Sequence, residues 1–166
     1  MDISFREIKS NQIKEYQEFL RIGLLNDEDN FRITPLDDLN SNFPTKDTDD
    51  SFTIGAYYEN KLAGNVSFSR DGADRQKLRH KGILFRMYVS PALRGQGIAK
   101  RLIELVIDKA LLLDNMEQIN LTVIATNDKA RILYEKLGFV SYGQEQKAIK
   151  WKDKYFDEEL MSLKLR

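Results

Sequence analysis

The 166-residue sequence contains no cysteine and a single histidine, His80. These absences exclude disulfide bonds, thiolate metal ligands, a cysteine nucleophile and any cluster of imidazole ligands. Lysine plus arginine and aspartate plus glutamate are balanced at 26 residues each. A balanced charge gives no net field that would draw the protein to nucleic acid or to an anionic membrane. We therefore expect neither of these partners and no bound metal.

Long hydrophobic runs are also missing. The longest apolar run covers only residues 110–113, whereas a transmembrane helix needs about 20 residues. The first ten residues mix charged and apolar side chains and lack the pattern of a secretory signal. Hydrophobic residues make up 42% and charged residues 31%, which is ordinary for a globular domain. These features predict one domain over residues 1–166 and a cytoplasmic location.

Apolar residues recur with strand and helix periods in alternation, and this pattern predicts a mixed α/β domain. Glu59-Asn60-Lys61 separates two strand patterns and predicts a hairpin turn. The acidic segment 26–50 is expected to be a loop with one short helix, begun by Thr34-Pro35. The charged segment 70–81 is expected to be a second loop. Predicted strands cover residues 3–8, 52–58, 62–68, 83–89, 119–124, 139–142 and 155–165, and the longer predicted helices cover 12–25, 98–113 and 128–137, the last closed by Gly138.

The segment 91–97 connects a predicted strand to a predicted helix and contains Gly95 and Gly97. Glycines allow a tight turn and a close approach of a ligand to the backbone. Successive amides followed by a helix N-terminus form a cradle for an anion. Lys100 stands where a dinucleotide-binding fingerprint needs glycine or alanine, and a nucleotide-binding loop would need Lys-Ser or Lys-Thr. A glycine-rich turn without a ligand remains an alternative from this segment alone.

Two sequence blocks together resemble one known family. Arg94-x-x-Gly97-x-Ala99 matches the Arg/Gln-x-x-Gly-x-Gly/Ala signature of the GCN5-related N-acetyltransferases (GNAT family). The block 127–139, NDKARILYEKLGF, resembles that family's Asn-x-x-Ala-x-x-Leu-Tyr-x-x-x-Gly-Phe motif and follows at its usual separation. The resemblance implies a mostly antiparallel mixed sheet of six to seven strands, flanked by about four helices and splayed between the two central strands.

The resemblance also implies the cofactor-binding residues. In the family, the amides of the glycine-rich turn hold the coenzyme A pyrophosphate, and the preceding strand lines the thioester. Acetyl-CoA is therefore the expected cosubstrate. The matching positions in this sequence are Arg94, Gly95, Gln96, Gly97, Ile98 and Ala99 for the turn, Met87 and Val89 for the strand, and Asn127 as a further coenzyme contact. An amide of the strand is expected to stabilise the developing oxyanion.

Tyr134 matches the tyrosine that the family often uses as a general acid toward the departing thiolate. It follows Asn127 by seven residues, about two helical turns, so that both face the same side of a helix. Each residue also has a purely structural interpretation: asparagine is a favourable helix N-cap, and Tyr134 could simply pack beside Leu133 and Leu137. The sequence alone leaves both interpretations open.

No general base is evident in the sequence. Arg86 stands where some relatives carry a glutamate, and His80 lies before the strand rather than on it. Glu28, Asp29 and Glu145 are weaker candidates. The base is therefore not assigned.

The resemblance implies an N-acetyltransferase that moves the acetyl group of acetyl-CoA to a primary amine by direct attack in a ternary complex. The acceptor is expected to be a small-molecule or peptide amine, with residues 26–50 and 70–81 beside it. Glu158 and Glu159 are either attractants for a cationic substrate or the solvated start of a strand. Homodimers are common in the family, so a homodimer is one expected assembly. The alternative function is a sensor or interaction module that binds acetyl-CoA without turnover.

Overall fold

The computed structural model describes residues 2–166. Within this range seven strands and four helices alternate along the chain. They are β1 (Ile3–Ile8), α1 (Ile13–Asn26), α2 (Pro35–Leu39), β2 (Ser51–Tyr58), β3 (Lys61–Arg70), β4 (Lys81–Val89), α3 (Ile98–Leu111), β5 (Gln118–Ile124), α4 (Asp128–Lys136), β6 (Val140–Trp151) and β7 (Lys154–Lys164). No helix in residues 2–166 is long and apolar enough to cross a bilayer.

All seven strands belong to one open sheet in the order β1-β2-β3-β4-β5-β7-β6. Only β4 and β5 run parallel, and they pair solely from Lys81 with Gln118 to Ile83 with Asn120. Beyond these residues β4 stays paired with β3 as far as Val89, while β5 stays paired with β7 as far as Ile124. The two central strands therefore diverge, as predicted.

The helices cover both faces of the sheet. The α3 side carries the larger core, in which Leu102, Ile103 and Val106 of the helix join strand residues such as Phe68 and Ile119. On the opposite face α1 contributes a second buried cluster formed by Ile8, Tyr16, Leu20 and Leu24. Alternation of side chains along each strand assigns every sheet residue to one of these two faces.

Short helices and turns follow local sequence signals. At the start of α2, Thr34 Oγ1 accepts from the amide of Asp37 at 3.3 Å and the Asp37 carboxylate accepts from the amide of Thr34 at 2.8 Å. This capping box satisfies two amides that a helix start leaves free. At the end of α4, Gly138 has a φ of 95°, and the amide of Phe139 donates to the Tyr134 carbonyl at 3.0 Å. The predicted helix start and glycine cap are both confirmed.

The predicted strand over residues 139–142 is wrong in length, because β6 continues to Trp151. It is an edge strand, paired only with β7, and most of its side chains are exposed. Its register shifts twice, and Lys147 has a φ of 52°. A strand with little buried surface lacks the alternation that reveals strands in a sequence, and irregular pairing obscures it further.

Candidate functional site

The divergence of β4 and β5 opens a cleft of about 1000 Å³. Its walls come from β4, β5, the start of α4, and the segment that leads from α1 to α2. The lining includes Phe31, Arg32, Phe85, Met87, Tyr88, Val89, Thr122, Ile124, Asn127, Leu133, Tyr134 and Glu158. The cleft therefore collects residues that are far apart in the chain. Six of the predicted site residues line it, namely Met87, Val89, Arg94, Ala99, Asn127 and Tyr134.

A β-bulge bends β4 beside the cleft. Asn65 of β3 lies opposite Tyr88, but Ser67 lies opposite Phe85, so β4 has one extra residue between them. Arg86 takes the strained left-handed conformation with a φ of 51°, which is rare for a residue with a side chain. The buried Asn65 side chain donates from Nδ2 to the Arg86 carbonyl at 2.7 Å. This bond satisfies a carbonyl that the bulge removes from the strand ladder.

Met87 and Val89 lie on the part of β4 that follows the bulge. Val89 is buried against the α3 core, and Met87 packs beside the same core. Because β4 pairs with β5 only up to Ile83, the main chain of this part of β4 has no strand neighbour on the β5 side. An extended ligand could supply the missing hydrogen bonds in the manner of an added strand.

The glycine-rich turn lies directly after β4. Gly95 and Gly97 have φ values of 81° and 76°, and Gly97 is the N-cap of α3. A Cβ atom built at either glycine would meet no other atom within 4 Å. A smaller cavity of about 250 Å³ is lined by this turn, by Ile98, Ala99 and Lys100 at the start of α3, and by Leu133. The turn thus exposes backbone and a helix N-terminus to open space, as an anion site requires.

The side chain of Arg94 is engaged within the protein. Its Nε donates to the Val89 carbonyl at 3.1 Å, and its Nη2 contacts the Asp27 carboxylate at 2.7 Å. The guanidinium carbon also lies 5.5 Å from the centre of the Tyr88 ring. Arg94 therefore ties the turn to the end of β4 and to the end of α1.

Asn127 caps α4. Its Oδ1 accepts from the amide of Ala130 at 3.3 Å, and the residue also lines the cleft. The structural interpretation of this asparagine is thus present, and its position leaves the coenzyme contact open as a second role.

Tyr134 lies on α4 with 7% of its surface exposed, and its ring meets the Phe139 ring edge-on at 5.7 Å between centres. It lines the cleft as well. Burial raises its pKa from about 10 to about 12, because a phenolate loses hydration in an apolar environment. Tyr134 therefore remains a protonated hydrogen-bond donor at neutral pH.

None of the remaining candidates for a base lines the cleft. His80 is in the turn before β4, at the far end of the sheet, and its carbonyl accepts from the amide of Glu117 at 2.8 Å. Glu28 is paired with Lys152 at 2.9 Å, and Asp29 and Glu145 are exposed. None of these four residues is part of the cleft lining.

The two long loops have different positions. Asp27, Asn30, Phe31, Arg32 and Ile33 from the first loop line the cleft, whereas residues 71–82 do not. The second loop lies at the opposite end of β4. Its first residue, Arg70, is buried and contacts the Asp50 carboxylate at 3.0 Å. Residues 71–82 therefore do not border the cleft, because the cleft opens only where β4 and β5 have separated.

One of the two interpretations from the sequence placed Glu158 at the solvated start of a strand. The structure buries this carboxylate to 1% exposure and places it in the cleft lining. The polarity of the segment 157–159 gave no sign of burial, since the covering residues come from the α1–α2 segment. In residues 2–166, no group of three or more histidine, aspartate or glutamate side chains is positioned to hold a metal ion.

Comparison with known proteins agrees with this geometry. The model of the acetyltransferase (GNAT) family matches residues 14–139. A spermidine N(1)-acetyltransferase from Vibrio cholerae is 36% identical over 64 residues, which cover 39% of this chain and 37% of that protein. The match thus spans little more than a third of that relative's length.

Solved structures share the whole fold. A GNAT-family acetyltransferase from Streptococcus pneumoniae superimposes with a TM-score of 0.82 over 98% of this chain and 99% of that one, at 24% identity. The ribosomal-protein-S18-alanine N-acetyltransferase from Escherichia coli gives a TM-score of 0.74 at 17% identity, covering 99% of this chain and 94% of that one. With the family model covering most of the sequence, and the splayed sheet and glycine-rich turn in place, this chain belongs to the acetyltransferase (GNAT) family, whose members use acetyl-CoA.

Proposed function

We propose that this protein transfers the acetyl group of acetyl-CoA to a primary amine by direct attack within a ternary complex. One observation carries the proposal above the others. The cleft between β4 and β5 is bordered by the unpaired edge of β4 and continues to the glycine-rich turn at the start of α3. This arrangement suits a ligand with a diphosphate at one end, a peptide-like arm in the middle and a reactive group inside the protein.

The diphosphate fits the turn. The first amides of α3 have no partner within the helix, and the helix dipole favours negative charge at its N-terminus. The two glycines leave open space where side chains would otherwise stand. We assign the pyrophosphate contacts to the amides of the turn and the helix start, namely Gly95, Gln96, Gly97, Ile98 and Ala99. The amide of Arg94, which the family resemblance would include, already donates to the Pro91 carbonyl at 3.3 Å. The side chain of Arg94 is not part of this set, because Val89 and Asp27 already engage it.

The pantetheine arm fits the edge of β4. Its amide groups can pair with the main chain after the bulge, where Met87 and Val89 lie. A main-chain amide in this part of β4 would also donate to the thioester carbonyl and stabilise the negative charge that develops on its oxygen. Asn127 retains its side-chain N–H groups for a coenzyme contact, since the cap uses only its Oδ1.

Acetyl-CoA supplies an acetyl group that is activated by the thiol leaving group. We assign to Tyr134 the hydrogen bond to that sulfur. A free thiol has a pKa of about 8.5, which is below the value of about 12 for Tyr134. Full proton transfer from the Tyr134 phenol to the thiolate alone is therefore unfavourable. It becomes favourable when the phenol gains a proton from the acetylated nitrogen at the same time. General acid catalysis of this kind typically contributes about 10²–10⁴-fold.

The acceptor amine must lose a proton before it attacks. An alkylamine has a pKa of about 10.4, so freeing it at pH 7 costs roughly 4–5 kcal/mol. A primary amine acceptor agrees with the names of relatives, which act on spermidine in one case and on an alanine of a ribosomal protein in another.

Calorimetric titration with acetyl-CoA, combined with an assay of thiol release over a panel of amines, tests the proposal. We expect acetyl-CoA to bind and at least one primary amine to trigger thiol release. Binding without release across a broad panel would instead support the sensor function.

Initial-rate kinetics test the order of events. Direct attack predicts intersecting lines when the reciprocal rate is plotted against the reciprocal concentration of either substrate. Parallel lines would show a covalent acetyl-enzyme and contradict the ternary complex.

A further inference from the structure

Glu158 is a buried carboxylate with no ordinary partner. Its exposure is 1%, and neither of its oxygens has a hydrogen bond to any group in residues 2–166. The Nε of Arg32 lies 2.8 Å from its Oε1, which is a close charge contact without hydrogen-bond geometry. Buried carboxylates are normally paired and hydrogen-bonded, because an isolated charge is costly to remove from water. The carboxylate is therefore arranged for a donor from outside the fold.

The charge contact of Glu158 comes from Arg32, which has a long and exposed side chain. Arg32 is 64% exposed and lies on the segment between α1 and α2. Removal of Arg32 alone would leave a buried carboxylate unpaired, which is costly. Exchange of its guanidinium for another cation keeps the carboxylate paired and returns an already exposed side chain to water.

The position of Glu158 in the sheet places it on the acceptor side of the cleft. It pairs in register with Ile124, the last residue of β5. The neighbouring Glu159 points to the other face, where Arg131 of α4 contacts it at 3.2 Å. Glu158 thus lies on the face of α1 and α2, and the cleft that it lines also contains Tyr134. Glu145 on β6 is directly opposite Glu158, which adds negative potential at this point.

We propose that Glu158 binds the ammonium group of an alkylamine acceptor, and that Arg32 holds this site until the acceptor displaces it. The proposal rests on the proposed function and specifies its substrate class as cationic amines. An ammonium group has three N–H donors, enough to give both carboxylate oxygens a charge-assisted hydrogen bond. One of its protons leaves to water in the open cleft before the free amine attacks the thioester. Acceptors of similar size without a positive charge, such as arylamines at pH 7, leave the carboxylate without a donor and are disfavoured.

The first experiment compares Glu158→Gln with the wild-type protein. The substitution keeps the side-chain size and removes the charge. We expect the KM for an alkylamine to rise about tenfold or more, while the Kd for acetyl-CoA stays unchanged. Glu159→Gln is the matched control, since it removes the same charge from the adjacent residue on the opposite face. An unchanged KM in folded Glu158→Gln protein, or an equal rise in both variants, overturns the proposal.

The second experiment uses Arg32→Ala, whose exposed side chain can be removed without loss of the core. Because the acceptor competes with Arg32, its removal is expected to lower the KM for the alkylamine severalfold. A merely structural role of the Arg32–Glu158 pair predicts a change in the same direction as Glu158→Gln. A raised KM in Arg32→Ala would therefore contradict the proposal, and this variant remains informative if Glu158→Gln does not fold.

A binding measurement separates this proposal from the proposed function. The probe is N,N-dimethylbutylamine, a tertiary amine that carries a positive charge at pH 7 and forms no stable amide. It is titrated calorimetrically into acetyl-CoA-loaded protein. Binding is expected to be weaker in Glu158→Gln and tighter in Arg32→Ala than in the wild type, whether or not any amine is acetylated. Equal binding by all three proteins overturns the role of Glu158, even if thiol release has established the acetyltransferase activity.

Discussion

The Nε of Arg94 donates a 3.1 Å hydrogen bond to the main-chain carbonyl of Val89. This bond joins the last residue of β4 to the turn that begins α3, and the contact of Arg94 with Asp27 joins the same turn to the end of α1. The first residue of the family signature thus shapes the turn through its side chain, while its amide donates to the Pro91 carbonyl at 3.3 Å. The distinction gives opposite expectations for a substitution at Asp27.

Asp27→Asn is expected to weaken acetyl-CoA binding, by about tenfold or less, because the turn loses one of its two side-chain supports. The pair is partly exposed, so the loss of folding free energy should stay at about 1 kcal/mol or below. Calorimetric titration and thermal unfolding measure the two effects. If the Arg94 side chain bound phosphate directly, release from Asp27 would leave binding unchanged or make it tighter. Asp108→Asn, on α3 and outside both cavities, serves as a control for loss of one carboxylate.

Two substitutions at Gly97 separate the effect of backbone strain in the turn from the effect of filling the open space beside it. Its φ of 76° is costly for valine, by about 1–2 kcal/mol, whereas asparagine tolerates this conformation. Gly97→Asn should therefore keep a melting temperature near that of the wild type and still lose acetyl-CoA affinity, since its side chain occupies the cradle. Gly97→Val should have both a lower melting temperature and a lower affinity for acetyl-CoA. Wild-type affinity in Gly97→Asn would refute the assignment of the pyrophosphate to this turn.

The sequence made the turn and the helix caps predictable because their signals are local. Gly97, Gly138 and Thr34 each meet a requirement of the few residues around them, so neighbouring letters suffice. The bulge at Arg86 was not predictable, since it depends on the pairing of β3 with β4 and on the hydrogen bond from Asn65.

Burial of Glu158 was equally hidden from the sequence, because it depends on coverage by a segment more than 100 residues earlier in the chain. The resemblance to the family supplied the splayed, mostly antiparallel sheet. The ion pair between Arg94 and Asp27 was not predictable, because Asp27 lies outside the family signature and its contact with Arg94 depends on the tertiary structure.

Tyr134→Phe removes only the hydroxyl group from the cleft. We expect turnover to fall by about 10²-fold, at the lower end of the usual range for general acids. The Kd for acetyl-CoA should stay nearly unchanged, because the ring still packs against Phe139. Single-turnover measurement of thiol release provides the rate, and unchanged turnover would remove Tyr134 from the chemical step. Tyr142→Phe, at an exposed position of β6, is the matched control.

The pH dependence of the rate tests the protonation state of Tyr134. The phenol is the active form and persists below its pKa, which burial raises to about 12. With an alkylamine acceptor, the rate should therefore rise as the amine loses its proton and should not decline between pH 9 and pH 10.5. An ordinary tyrosine, with a pKa of about 10, would lose its proton while an amine of pKa about 10.4 gains reactivity, so the rate would level off at a maximum at about pH 10.2 instead of rising further. Such a maximum in the wild type, absent from Tyr134→Phe, would contradict the raised pKa.

Asn65 supports the bulge through its bond to the Arg86 carbonyl, and Asn65→Ala should show that the bulge matters for binding. The substitution leaves a buried carbonyl without its donor, which is expected to lower the free energy of unfolding by about 1–3 kcal/mol. Relaxation of the bulge would shift the main chain at Met87 and weaken acetyl-CoA binding. Ser69→Ala is the control on the same strand, since it removes a 2.9 Å hydrogen bond to Ser51 far from the cleft. Denaturant unfolding and calorimetric titration of both variants should show lower stability in each, with reduced affinity only in Asn65→Ala. Equal affinity in the two variants would mean that acetyl-CoA binds without the help of the bulge.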